Sequence, residues 1–201
     1  MAARAEAQPE VAAAHFARGV EAARAHAWED AEVAFLVAYE ASHRAPVLLN
    51  LAAVRRERGS WVGAADAYHR FLRTAPEVDL ATHWVGVARE LAALQLTTPT
   101  LEIELPDGYT ALLDGAPVVP GSQFAVDPGT HALNVRLGEV PVRHLTLELR
   151  EQERRHLRLT LSESTPGAEP SGTNQWWIWA LAVGVGVVLA GTVAAVALSQ
   201  L

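Results

Sequence analysis

The side chains best suited to chemistry in this sequence are eight histidines: His15, His26, His43, His69, His83, His131, His144 and His156. A metal or general-base role needs them paired at ligand spacing, as in His-x-x-x-His on a helix, or set beside thiolates. No such pair occurs, and the chain has no Cys. His15 and His26 fall on one helical face but three turns apart, too far for a single ion. No Ser sits in a Gly-x-Ser-x-Gly elbow, and no Gly-rich loop leads into a helix as a phosphate cradle would. Asp107, Asp114 and Asp127 each stand next to Gly or Pro, where carboxylate-to-backbone bonds in turns account for them. The residues therefore predict no catalysis, no metal and no cofactor.

Composition narrows the remaining classes. The 201 residues allow one ordinary domain or two small ones. The net charge of −7 is thinly spread and gives no basic footprint for nucleic acid. All sixteen basic residues are Arg, and the absence of Cys leaves the redox compartment undetermined.

Residues 8–96 have a helical pattern that repeats. Gly19 and Ala52 lie 33 apart, as do Trp28 and Trp61, Ala31 and Ala64, and Phe35 and Tyr68. Each pair keeps a small or an aromatic residue in kind, as close helix crossings and the gaps between them require. A last helical stretch, VDLATHWVGVARELAALQL, carries Gly86 at the small position and is expected to cap the stack.

After Pro99 the period changes to two. TLEIEL, YTALLD, HALNVRL, RHLTLEL and RHLRLTL alternate apolar and polar residues between turn signals. Asp114-Gly115 predicts a tight hairpin, since both positions tolerate positive φ. The charged run REQERRHLR fits the exposed turn and outer face of another hairpin. Residues 99–162 are thus expected to form a small antiparallel β-sandwich.

The chain carries two family resemblances. The helical pattern, with a period near 34, resembles the tetratricopeptide repeat. The second unit matches best, with Leu51-Ala52, Gly59, Trp61, Ala64, Tyr68 and Pro76 in register. The first has His26-Ala27 at its inner turn and His43 where a closing Pro is usual. The resemblance implies about two and a half units whose concave face binds a protein segment. Carried onto this chain, that face is Phe16, Val20, Leu49, Asn50, Arg56, His83 and Trp84, with Asn50 and Arg56 the polar readers. The β-segment resembles the PEGA domain of bacterial envelope proteins. It does so through Pro106-Asp107-Gly108-Tyr109, Asp114-Gly115 and Pro128-Gly129-Thr130-His131, with Tyr109 in place of Ala the main departure.

The C-terminal part reads differently again. Residues 163–175 are polar and rich in Pro and Gly, a flexible linker by composition. Residues 176–198 carry no charge, and as a helix would span roughly 34 Å, enough to cross a bilayer core. Trp176, Trp177 and Trp179 at its start are placed as an interfacial anchor. Ala182, Gly186, Ala190 and Ala194 recur every four residues, a small-residue stripe that leaves homo-oligomerisation open. The N-terminal residues contain no apolar signal-peptide core, although Ala5-Glu6-Ala7 has the form of a signal-peptidase site. Charges near the span do not fix its orientation, and envelope analogy favours the periplasmic side.

The expected protein is multidomain, α then β, with a single C-terminal transmembrane helix. It is expected to act as a non-enzymatic scaffold or adaptor, contacting membrane lipid through its tail and a protein or peptide through its repeats. The alternative is a structural envelope protein whose β-domain contacts wall or surface polymer.

Overall fold

The computed structural model describes residues 2–160, with side chains from Pro9 onward. The linker at 163–175, the apolar segment at 176–198, its Trp176, Trp177 and Trp179, and the Ala182/Gly186/Ala190/Ala194 stripe lie outside the described residues. Among the described residues, no helix is long and apolar enough to cross a membrane.

Five helices come first: α1 (Ala2–Arg24), α2 (Trp28–Ser42), α3 (Pro46–Glu57), α4 (Trp61–Thr74) and α5 (Glu77–Thr97). Each packs on the next, in pairs. Most members of the pairs spaced by 33 residues lie in the helical core. Ala31, Ala64 and Ala52 are fully buried, and Phe35 and Tyr68 fill the space beside them. A Cβ on Gly19 would sit 2.8 Å from the Phe35 ring, so only Gly allows α1 this close to α2. Turn geometry repeats as well. His26 (φ 57°) takes the left-handed conformation that Gly59 (φ 88°) takes in the second pair. The next residues along, Ala27 (φ −83°, ψ 73°) and Ser60 (φ −85°, ψ 73°), start α2 and α4 alike. His43, at φ 51°, closes α2 by donating its N–H to Tyr39 O.

At Gly86 the expected close crossing does not occur. A Cβ there would meet nothing within 4 Å, so the glycine is not a packing residue. Among the described residues no helix comes after α5 to supply the ring that Phe35 brings to Gly19.

Seven strands complete the described chain: β1 (Thr100–Glu104), β2 (Tyr109–Leu113), β3 (Ala116–Val118), β4 (Gln123–Ala125), β5 (Gly129–Leu137), β6 (Val140–Leu149) and β7 (Arg154–Arg158). All five alternating segments form strands, and the short β3 and β4 are added. They make two small sheets, one in the order β4-β1-β7 and one, antiparallel, in the order β3-β2-β5-β6. Leu101, Ile103, Leu133, Val135, Leu149 and Leu157 are buried, as period-two alternation requires. The β2–β3 turn has Asp114 at φ 50° and Gly115 at φ 84°, the two positive values of a tight hairpin.

Two features of the β region differ from the sequence expectation. The strands are not all antiparallel, because β1 and β7 pair in parallel, Thr100 opposite Arg154 and Glu104 opposite Arg158. Nor do the residues around 150–153 close a hairpin: β6 and β7 belong to different sheets, and the turn carries the chain from one to the other. Alternation fixes which face a residue occupies but is silent on the direction of its neighbour.

The chain divides into two compact units. The first combines Met1–Pro99 with Ala125–Gly129 and Glu148–Glu153; the second holds the rest of the β residues. Backbone bonds within the first unit tie in the two later segments, from Val126 N–H to Pro99 O and from Gln152 N–H to Thr97 O. Asp127 also belongs here. Its carboxylate accepts the Val62 N–H at 2.7 Å and so caps α4, whose preceding Ser60 makes no side-chain cap.

Candidate functional site: a cleft on the helical unit

A cleft of about 580 Å³ on the helical unit has the size and shape to take a ligand. One wall is α1, contributing Pro9, Ala12, Ala13 and Phe16. The other is α3, contributing Pro46, Val47 and Asn50, and the end of α2 with Arg44 closes the floor and rim. The small residues on α1 open the space, since Ala12 and Ala13 leave room where larger side chains would bridge to α3. Phe16 is held from behind by an edge contact with Phe35, ring centroids 5.5 Å apart. Pro46 begins α3 without an N–H to satisfy.

The polar groups of the cleft are few. Ser42 donates its hydroxyl to Ala38 O and accepts the Arg44 N–H, fixing the loop that carries Arg44. The Arg44 side chain makes no ion pair among the described residues, so its guanidinium is available at the rim. Asn50 donates to Pro46 O at 3.4 Å, a weak contact that leaves most of its amide to a ligand. An apolar trough with one amide and one guanidinium suits a peptide segment: the trough takes side chains, the amide a backbone group, and the guanidinium a carboxylate.

Of the seven concave-face residues, the cleft brings together Phe16 and Asn50. Val20 and Leu49 are half-buried and pack on the helical core. His83 stands edge-on to Phe71, centroids 6.0 Å apart, and Trp84 is exposed elsewhere on α5. Arg56 has a structural job. It bonds Glu57 at 2.9 Å and Glu90 at 2.5 Å, joining α3 to α5. Glu57, with Glu90, outweighs partial burial and holds the guanidinium even more firmly protonated than usual. Burial first, then the charge of Glu90, pushes the nearby Tyr68 hydroxyl up. Arg44 is not among the expected residues: it lies in a loop, outside the helical register from which the concave face is counted.

The β unit gathers polar groups at two places. At the β2–β3 turn, Asp114 accepts from His131 Nδ1 at 2.6 Å and from the Ala132 N–H at 2.8 Å. Burial raises its carboxyl, but these bonds more than offset that and hold it below the ordinary value. The dyad pins the hairpin to β5. On β1 and β7, the parallel register sets Glu102 beside His156 and Glu104 beside Arg158. Potential ligand atoms of Glu102, Glu104 and His156 lie within 4.8 Å of one another, a grouping that residues more than fifty positions apart do not announce in sequence. Arg158 already bonds Glu104, however, and is the main reason that carboxyl is held low, so a fixed positive charge stands where a cation would bind.

No family model matches the chain, and no curated protein or solved structure matches it.

Proposed function

We propose that this protein is a membrane-anchored, non-enzymatic scaffold that holds a peptide segment of a partner protein in the cleft between α1 and α3. The helical part is then of the tetratricopeptide type and the β part PEGA-like. Residues 176–198 are the anchor, and the folded units face the periplasm. The observation that carries the reading is the cleft itself, which is lined by Phe16 and Asn50, apolar along its walls and polar only at Asn50, Ser42 and Arg44. Tethering raises the effective concentration of a partner confined to the same surface, so a short groove with few polar contacts suffices.

The test fills the cleft. Ala13 lines it and is exposed, so Ala13→Trp occupies the trough without entering the core. Proteins that co-purify with the full-length wild-type chain from mild-detergent extracts should be lost from Ala13→Trp, and Arg44→Glu should weaken their retention. Circular dichroism should be unchanged in both variants. An identical set of co-purifying proteins with Ala13→Trp would rule the cleft out as the binding site.

A further inference from the structure

Among the described residues, helix α5 ends the helical run and packs through one of its faces. Val87 and Leu94 are buried, and Leu80 and Leu91 pack on the same core. On the opposite face Val78, Val85 and Leu96 are 72%, 79% and 76% exposed, and Trp84, at the edge beside Leu80 and Leu91, is 56% exposed. Ala81, Ala88 and Ala92 lie between them, also exposed. Val78, Ala81, Val85, Ala88 and Ala92 therefore form a continuous stripe at alternating spacings of three and four, with no charge in it. A contiguous apolar face left to water marks an interaction site.

We infer that the occupant is a second copy of this chain, with α5 packed on α5 in parallel about a two-fold axis. The register of the flanking residues singles out this partner. With Val78, Val85 and Ala92 at the first core position of a heptad and Ala81 and Ala88 at the second, Glu77, Trp84 and Leu91 flank one side of the stripe, Leu91 also packing on the helical core. Thr82, Arg89 and Leu96 flank the other. In a parallel pair each residue of the first flank meets the residue five positions later on the other chain. Glu77 then meets Thr82 of the second copy, a hydrogen-bonding pair, and Trp84 meets Arg89 of the second copy, a cation–π pair. The Arg89 side chain is 81% exposed and its nearest carboxylate, on Glu90, is 3.8 Å away, so its guanidinium can turn to the ring. An antiparallel pair would set like flanks together and part Trp84 from Arg89. The alanines let the two helices approach closely.

The seam is short. Helix α5 is about 31 Å long, and one of its faces covers less than the roughly 800 Å² per partner of a stable interface. Pairing is therefore weak for free molecules and is populated where two copies share one membrane. In that respect the inference rests on the anchor proposed above, though not on the cleft.

Because the chain has no Cys, single cysteines report the contact directly. Full-length chains carrying Val78→Cys, Val85→Cys, Ala92→Cys or the off-stripe Ala93→Cys are oxidised in isolated membranes and resolved without reductant. A parallel pair predicts a dominant dimer band at all three stripe positions and none at Ala93→Cys. Cross-linking at Val85→Cys alone would overturn the parallel register, and an absence of dimer at all three positions would overturn the pairing itself. The share of each chain in the membrane pellet, read from the same samples, reports separately on the anchor.

Discussion

Gly19 and Gly86 occupy corresponding places in the helical pattern and have opposite surroundings. At Gly19 the Phe35 ring lies 2.8 Å from where a Cβ would be, whereas at Gly86 nothing lies within 4 Å. The difference is not in the glycines. It lies in the next element of the chain: α1 leads into α2, which brings a fully buried aromatic ring, and α5 leads into a strand. A small residue at a repeat position permits a close crossing, and the crossing exists only where the second helix of the pair is present.

Substitution at Gly19 should have the larger effect. An added methyl group must displace a buried ring that cannot swing away, an overpacking cost of about 1–3 kcal/mol. Against this stands the helix propensity of Ala, worth about 1 kcal/mol over Gly. The overpacking wins, and Gly19→Ala should lose about 1 kcal/mol net in denaturant unfolding. The contact is isolated by repeating the substitution beside Phe35→Leu, where the loss should shrink because the ring edge is gone. Gly86→Ala gives the smaller effect and the opposite sign. With no steric cost, it should gain about 0.5–1 kcal/mol from the reduced freedom of the unfolded chain. Destabilisation by Gly86→Ala would mean that something in the folded protein packs on that position after all.

The same contrast shows what was legible in the sequence. Helices, strands and the spacing of 33 residues could be read because each is a local pattern, and the positive φ values at Asp114 and Gly115 follow from their residue types. The role of Arg56 could not be read. Its partner Glu90 is 34 residues away on another helix, and only the fold brings the two into an ion pair between α3 and α5. Asp127 reads in sequence as serving its own turn, yet it caps α4 from 65 residues away. The parallel pairing of β1 with β7 left no trace either, because a strand with one buried face alternates identically whichever way its neighbour runs. Of the residues lining the cleft, the repeat resemblance points to Phe16 and Asn50 but not to Arg44, whose position depends on how the loop after α2 is held by Ser42.

In the proposed function, residues 176–198 hold the folded units at a membrane face. The decisive experiment uses the full-length chain, expressed from its native locus with an internal tag just before Trp176. Membranes are extracted with alkaline carbonate, and intact spheroplasts are treated with protease. The chain should stay in the carbonate-washed pellet, and the tagged portion should be digested in intact spheroplasts. Protection of the tag until the cells are lysed would contradict the periplasmic placement, and release of the chain into the carbonate supernatant would contradict the anchor.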